Sequence, residues 1–220
     1  ALRDAARFGR PILTTGCGTS EHAAAALAEL LNEALRPPAG REVRAVQALE
    51  TLRRPLRDGV LLAVSHEGGT RATNDALRAA AEAGARTALV TVGGGSPGAA
   101  LAGVVIQTGE QDQSWCHTVG YLSPIIAGVV LAARLRDTKP DALAIRALLD
   151  VSHEPRAAAD VAAALATADR ILTVGSGVDF VTARELALKI AEGARLPASA
   201  FELETVLHGH LAAANRWAGL

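Results

Sequence analysis

Residues 12–20 constrain the fold more than any other stretch of the chain. A short apolar run (12–15) leads into two glycines and two hydroxyl residues, and an Ala- and Leu-rich segment follows over residues 22–35. The run is typical of a buried strand and the segment of a helix. Glycine allows a tight turn, and the free N–H groups at the start of a helix attract an anion. The stretch therefore predicts a strand–turn–helix unit that holds a phosphate or a carboxylate.

Two residues of this turn, Thr19 and Ser20, are suited to cap the helix that follows. The turn is not the dinucleotide-binding fingerprint, because Glu21 stands where the third glycine of Gly-x-Gly-x-x-Gly would be. The chain has no Gly-Lys-Ser or Gly-Lys-Thr sequence, which excludes a Walker-type nucleotide loop. An ordinary strand–turn–helix corner without a ligand is the alternative interpretation.

The composition predicts a core of helices packed on a parallel sheet. Apolar residues make up 50% of the chain but aromatic residues only 3%, so Ala, Val, Leu and Ile must fill the core. The formal net charge of −1, without a long basic run, argues against binding to nucleic acid or to an anionic membrane surface. The two cysteines, Cys17 and Cys116, form no disulfide-framework pattern, and we expect a reducing, cytoplasmic location.

The longest apolar stretch, residues 121–135, contains Pro124 and is too short to span a bilayer, so it predicts a buried helix. No signal peptide is visible. The chain contains no methionine, not even an initiator, and we therefore expect it to be a piece of a longer protein.

Strands alternate with helices through the first 136 residues of the chain. The predicted strands are 12–15, 42–46, 60–64, 87–92 and 104–108, and the predicted helices are 22–35, 48–56, 71–83 and 118–136. The long crossovers indicate a parallel sheet covered by helices on both faces, which is a three-layer α/β fold. Ligands of such folds bind beyond the carboxyl ends of the strands. The segments 14–20, 65–70 and 110–117 all follow strands, so they could line one crevice.

An internal repeat divides the chain. Residues 171–177 (Ile-Leu-Thr-Val-Gly-Ser-Gly) echo residues 12–18 (Ile-Leu-Thr-Thr-Gly-Cys-Gly), and each copy precedes an Ala- and Leu-rich helix. We predict a first domain at 1–140, a linker and connecting helix at 141–170, and an incomplete second copy of the domain at 171–220.

The second copy of the turn differs from the first in its polar residues. Val178 and Asp179 replace Thr19 and Ser20. Asp179 is suited to cap its helix, but its carboxylate would repel a phosphate. We therefore expect only the first turn to favour an anion.

Three charged residues of the second copy, Glu185, Lys189 and Glu192, share one helical face, since they are four and three residues apart. They fit either a solvated Glu–Lys ladder or a general base paired with a cation. His208, between an apolar run and a glycine, fits either a structural or a catalytic role. His208 and His210 have no acidic or cysteine cluster at ligand spacing nearby, so we predict no metal site.

Three other residues with reactive side chains follow predicted strands. Glu67 and Glu110 either face the crevice or are exposed loop carboxylates. Cys17 lies in the first turn without an adjacent general base in the sequence. The chain has no Gly-x-Ser-x-Gly nucleophile elbow.

These motifs together resemble a known family. The sequence Gly16-Cys17-Gly18-Thr19-Ser20, the turn Ser65-x-x-Gly68-x-Thr70 and the tandem repeat are similar to the sugar isomerase (SIS) family. Within the family, the sequence resembles the isomerase half of the glutamine–fructose-6-phosphate aminotransferases. The resemblance implies a three-layer αβα fold with one full SIS domain and part of a second.

The resemblance implies that the two turns hold the phosphate of a sugar through hydroxyls and backbone N–H groups. The hydroxyl ligands would be Thr19, Ser20, Ser65 and Thr70. The same turns contain the remaining candidate phosphate-binding residues, which are Cys17, Gly18, His66 and Glu67.

The resemblance also implies a mechanism without a metal or organic cofactor. Residues 183–192 are similar to the family's Glu-x-x-x-Lys-x-x-Glu helix. Glu192 would move a proton between two sugar carbons through an enediol, while Lys189 and Glu185 organise the hydroxyls and the developing charge. His208, in a motif similar to the family's His-Gly, would open the sugar ring across a homodimer interface.

The sequence departs from the family's pattern at three positions. Glu67 replaces the second serine of the phosphate turn and places a negative charge near the expected phosphate. His210 replaces a proline, and Leu207 stands where the aminotransferase has a lysine. A deglycase of a phosphorylated fructosamine and a non-catalytic sugar-phosphate-binding regulatory module therefore stay open as alternatives. This chain has no N-terminal cysteine nucleophile, so we expect no glutaminase activity from it.

Overall fold

The computed structural model describes residues 1–151, 155–213 and 218–219. The chain divides into two units, Ala1–Lys139 and Pro140–Leu220.

The first unit is built on five parallel strands in the order β2-β1-β3-β4-β5. The strands are β1 (Ile12–Thr15), β2 (Arg44–Ala45), β3 (Val60–Val64), β4 (Arg86–Thr91) and β5 (Val104–Gln107). The helices are α1 (Leu2–Arg7), α2 (Thr19–Leu35), α3 (Ala48–Arg53), α4 (Arg71–Glu82), α5 (Pro97–Leu101) and α6 (Thr118–Leu135). The predicted parallel α/β sheet is confirmed.

The sheet buries an apolar layer on each of its faces, because successive side chains of a strand point to opposite sides. Val60, Leu62 and Val64 of β3 belong to a cluster that includes residues of α2. Leu61 and Ala63 of the same strand belong to a second cluster with residues of α4. Every residue of β3 is buried, which explains why its sequence is continuously apolar rather than alternating.

The strand β2 and the segment after β4 differ from the predictions. The second strand is limited to Arg44–Ala45, and its two residues are exposed because β2 lies at the edge of the sheet. The glycine-rich segment after β4 ends in the short helix α5, which the sequence analysis did not predict. The Ser96 hydroxyl accepts a hydrogen bond from Ala99 N–H at 3.2 Å and thereby caps this helix.

Helix α6 is only partly buried, although its apolar sequence predicted a buried helix. Its Gly128 faces α2, because a Cβ atom added there would lie 3.0 Å from Leu27 Cδ1. The opposite side exposes large apolar side chains such as Leu122 and Val130. Among the helices of the described residues, α6 is the one that is long and apolar enough to cross a membrane by length and composition.

The second unit contains three parallel strands in the order β7-β6-β8. The strands are β6 (Arg170–Gly175), β7 (Ala198–Glu202) and β8 (Ala218–Gly219). The helices are α7 (Ala142–Val151), α8 (Pro155–Leu165), α9 (Val178–Gly193) and α10 (Leu203–Leu207), and a short 3₁₀ helix spans His210–Ala213. The segment expected as a linker and connecting helix contains α7 and α8. Residues 152–154 of that segment, and residues 214–217 and 220 of the predicted second copy, lie outside the described residues.

Candidate functional site

The turn after β1 is shaped by glycine rather than by its hydroxyl residues. Gly18 is the N-cap of α2, with φ 57° and ψ −129°, a conformation in the left-handed half of φ space that favours glycine. The prediction that Thr19 or Ser20 caps this helix is wrong, because Gly18 is the N-cap and helical geometry already begins at Thr19. The N–H of Ser20 instead donates to the Cys17 carbonyl at 3.2 Å.

A second glycine of this turn sets how closely α2 approaches β1. A Cβ atom added to Gly16 would lie 2.5 Å from the carbonyl carbon and oxygen of Ser20, so only glycine fits. The buried Thr14 hydroxyl donates to the Ala24 carbonyl at 2.7 Å and joins the strand to the helix. The first turn is therefore rigidly attached to the sheet.

The turn after β3, residues 65–70, is the second candidate phosphate-binding segment. Ser65 is buried, and its hydroxyl donates to the hydroxyl of the exposed Thr70 at 3.4 Å. Gly68, at φ 65°, closes the turn through its N–H, which donates to the Ser65 carbonyl at 3.1 Å. Two predicted hydroxyl ligands thus lie together on this turn.

Backbone donors of the same turn are available to a ligand. The His66 carbonyl accepts hydrogen bonds from the Thr91 hydroxyl and from Val92 N–H, both at 2.9 Å. Because a peptide group is planar and trans, the N–H of Glu67 points away from these two donors. In the part of the chain that the structure describes, the N–H groups of Glu67, Gly69 and Thr70 donate to no other protein group. Unpaired backbone N–H groups that are grouped in one turn are suited to bind an anion.

The structure brings the two turns next to each other. The Cys17 Sγ atom lies 3.7 Å from the hydroxyl of Thr73, which is fully buried in the first turns of α4. Thr73 is not among the site residues predicted from the sequence. The helical spacing of Thr70 and Thr73 places both on one side of α4, which is the signal that could have identified it.

The Glu67 carboxylate is exposed and does not pair with a cation among the described residues. The Gln111 side-chain amide donates to its Oε1 at 3.1 Å. Its position in the turn keeps a negative charge beside the available N–H groups. Gln111 belongs to the loop after β5, which the sequence predicted to line the crevice without naming this residue.

The most extensively hydrogen-bonded carboxylate of the loop is Asp112, which sequence analysis also missed. It is 6% exposed, and it accepts hydrogen bonds from the N–H and hydroxyl of Ser114 and from the N–H of Gly120. Burial raises the pKa of Asp112, but these hydrogen bonds and the neighbouring His117 outweigh burial and hold the pKa at about 2. Asp112 is therefore ionised at neutral pH.

The His66 side chain is neutral and oriented. Burial of the ring and the neighbouring His117 lower its pKa below the ordinary value, against the opposing charges of Asp112 and Glu67. The backbone N–H of Asp112 donates to His66 Nε2 at 2.9 Å. Since Nε2 accepts this bond, the proton of the neutral ring must lie on Nδ1.

The predicted proton-transfer residues of the second unit form a partly buried triad on α9. Lys189 Nζ lies 2.8 Å from Glu192 Oε2 and 3.3 Å from Glu185 Oε1. The Glu185 side chain is 6% exposed and that of Lys189 is 17% exposed, whereas that of Glu192 is 34% exposed. A solvated ladder does not bury its charges, so the structure contradicts that alternative.

His208 forms its polar contact with a residue outside this triad. It follows α10, and its Nε2 atom is 3.0 Å from Glu204 Oε2, with both side chains more than three-quarters exposed. Phe201 stacks on His210, with ring centroids 4.0 Å apart. No group of three or more His, Cys, Asp or Glu side chains in residues 1–151, 155–213 and 218–219 could hold a metal ion.

The match to a family model decides the identity of the fold. The model of the SIS domain matches residues 9–134, which is more than half of the chain. The chain belongs to the SIS domain family. The match contains both turns of the first unit and the loop that carries Asp112.

Curated relatives place this SIS domain among larger proteins. The chain is 29% identical over 216 residues to glutamine–fructose-6-phosphate aminotransferase (isomerizing) 2 of Homo sapiens. The alignment covers 92% of this chain but 32% of that protein, so the chain spans about a third of the length of the curated relatives it matches.

Two solved structures share the fold. Glucosamine-6-phosphate deaminase of Thermotoga maritima matches with a TM-score of 0.79 at 18% identity, over 94% of this chain and 66% of that one. Tagatose-6-phosphate ketose/aldose isomerase of Escherichia coli matches with a TM-score of 0.70 at 18% identity, over 99% of this chain and 65% of that one. Both proteins have names that place them among enzymes of phosphorylated sugars.

Proposed function

We propose that the chain is the isomerase-type part of an enzyme that acts on a ketose phosphate or an aminosugar phosphate. The observation that carries the proposal is the triad on α9, in which Lys189 bridges the nearly buried Glu185 and the partly exposed Glu192. A buried ion pair does little for stability, because the cost of desolvating its charges offsets their attraction. Its presence is better explained by chemistry.

The three members of the triad suit different roles in proton transfer next to a carbonyl. Glu192 keeps contact with solvent and can exchange a proton with a substrate, so we assign it the role of the base. Lys189 would stabilise the negative charge of the enediol, and Glu185 would hold the Lys189 ammonium in place. In the first unit, the turns after β1 and β3 would bind the phosphate of a sugar through hydroxyls and backbone N–H groups.

Proton exchange in deuterated water tests this function on the full chain. NMR would follow deuterium incorporation at C1 and C2 of fructose 6-phosphate and glucosamine 6-phosphate. We expect exchange with the native chain and a loss of at least about 100-fold in Glu192→Gln, the usual size of a general-base contribution. Glu50→Gln is the matched control, since Glu50 forms an exposed pair with Arg53 at the same spacing of three residues.

Each outcome assigns the chain to one class. Deuterium incorporation that Glu192→Gln abolishes supports an enediol mechanism, and cleavage of a phosphorylated fructosamine by the same base would identify a deglycase. Binding of the sugars without exchange would identify a regulatory module. Equal exchange in native and Glu192→Gln chains would contradict the assignment of the base.

We also propose that the chain acts as a homodimer in which His208 completes the partner's site. The exposure of His208 on the described surface leaves its ring accessible to another subunit. Mixing Glu192→Gln with His208→Ala would then restore about a quarter of the activity, because half of the dimers are hybrids with one intact site. No recovery in a mixture shown by ultracentrifugation to contain hybrid dimers would contradict the shared site.

A further inference from the structure

The start of α6 depends on a carboxylate from the preceding loop. Its N-cap, His117, has φ 49° and forms no side-chain cap. Asp112 takes this role from outside the helix, because its Oδ2 atom accepts the N–H of Gly120 at 2.8 Å in the first turn of α6. Its Oδ1 atom accepts the Ser114 N–H at 2.8 Å and the Ser114 hydroxyl at 2.5 Å. The carboxylate thus fixes the loop and the helix together.

The backbone of the same residue contacts the turn after β3. The N–H of Asp112 donates to His66 Nε2 at 2.9 Å, and the ring of His117 meets that of His66 edge to face, with centroids 5.7 Å apart. A Cβ atom added to Gly120 would lie 3.3 Å from His66 Cγ, so the absence of a side chain lets α6 approach the ring. One residue therefore connects loop, helix and turn.

His66 is the residue through which this connection acts on the turn. Its ring is held by Asp112, while its carbonyl is held from the other side by Thr91 and Val92. The peptide that follows His66 carries the Glu67 N–H, one of the available donors of the turn. Fixing His66 at both ends therefore fixes the direction of that donor.

We propose that Asp112 is a positioning residue that preorganises the anion-binding turn 65–70 through the ring of His66. Asp112 does not contact the ligand. It lowers the cost of ordering the turn when an anion binds, and this raises affinity without adding a contact. The proposal rests on the proposed function in so far as the ligand of the turn is a phosphate.

Calorimetric titration of the full chain with fructose 6-phosphate tests the effect on binding. We expect Asp112→Asn, which keeps the size of the side chain but loses acceptor capacity, to raise the dissociation constant about tenfold. The matched control is Asn32→Ala. Asn32 also joins two segments of the first unit, through its side-chain contacts of 3.0 Å and 2.7 Å with the Val43 backbone, but it belongs to no part of the site. Asn32→Ala should lower the unfolding temperature and leave the affinity unchanged.

The nitrogen chemical shifts of His66 provide a readout that a loss of stability alone does not change. We expect the native chain to show the Nδ1-protonated tautomer and Asp112→Asn to show exchange between tautomers. Unchanged affinity in a folded Asp112→Asn chain would overturn the proposal, and so would an unchanged tautomer. An equal loss of affinity in Asn32→Ala would overturn it as well.

The two proposals fail in different ways. If the native chain binds no phosphorylated sugar, the proposed function loses its ligand, but the tautomer of His66 still reports whether Asp112 orients the ring. If the native chain binds the sugar and Asp112→Asn binds it equally well, the function stands and the positioning role is wrong.

Discussion

The turns after β1 and β6 have almost the same backbone but different polar residues. Gly18 has φ 57° and ψ −129°, and Gly177 has φ 57° and ψ −128°. Thr14 and Thr173 each donate to the helix carbonyl ten residues later, at 2.7 Å in both cases. The shape of such a turn is therefore set by its glycines and one buried threonine.

The positions just after the second glycine distinguish the two turns. The first turn continues with two hydroxyl residues, Thr19 and Ser20, whereas the second continues with Val178 and Asp179. A carboxylate at the start of a helix occupies the place where an anion would bind. The difference between the proposed anion site and the second turn therefore lies in these residues and not in the backbone shape. The local likeness also fits the predicted repeat, which stays a prediction for the rest of the second unit.

The largest effect should follow from removing the close approach that both turns share. Gly16→Ala and Gly175→Ala would each place a Cβ atom 2.5 Å from the backbone of the helix that follows. We expect each to lower the free energy of unfolding by about 3 kcal/mol, because the helix must shift from the strand. Urea unfolding followed by circular dichroism measures the loss.

Gly69→Ala is the control for these variants, because a Cβ atom there would contact nothing within 4 Å. It should change the free energy of unfolding by less than about 0.5 kcal/mol. A large loss of unfolding free energy for Gly16→Ala but not for Gly175→Ala would show that the two turns share a backbone shape but contribute differently to stability.

An intermediate effect should come from exchanging the polar residues of the two turns. Ser20→Asp places in the first turn the carboxylate that the second turn has, and it should weaken binding of fructose 6-phosphate at least about tenfold by charge repulsion. Asp179→Ser removes the carboxylate from the second turn and should leave that affinity unchanged. If both variants changed the affinity equally, the anion site could not be assigned to the first turn alone.

The smallest effect should come from Glu67, whose negative charge lies in the turn that we propose binds the phosphate. Glu67→Ser should strengthen phosphate binding about threefold at low ionic strength, and the gain should fall as salt is added, because screening weakens the repulsion of an exposed charge. Glu82→Ser changes the net charge equally at an exposed position at the end of α4. A gain of the same size in both variants would indicate a general charge effect instead of a local one.

The sequence by itself determined most strands and helices of the first unit and the types of residue at the candidate sites. Residues 60–64 are continuously apolar and form β3 over the same five residues. Such a sequence is expected of a strand that is buried on both faces, because neither face needs polar side chains. The sequence also predicted the turn at the first pair of glycines and the shared helical face of Glu185, Lys189 and Glu192. Both depend on local backbone preferences and helical periodicity, which involve near neighbours only.

Tertiary structure decided which of these residues are buried and which are joined. The sequence could not separate a solvated ladder on α9 from a buried triad, because the burial of Glu185 depends on what packs against the helix. It also gave Thr19 and Ser20 as caps, although Gly18 takes that position through a backbone conformation that spacing does not reveal. The contact between Asp112 and His66 could not be predicted from the sequence either, because it joins residues 46 positions apart. Contacts of that length depend on how strands are ordered in the sheet, which no local pattern encodes.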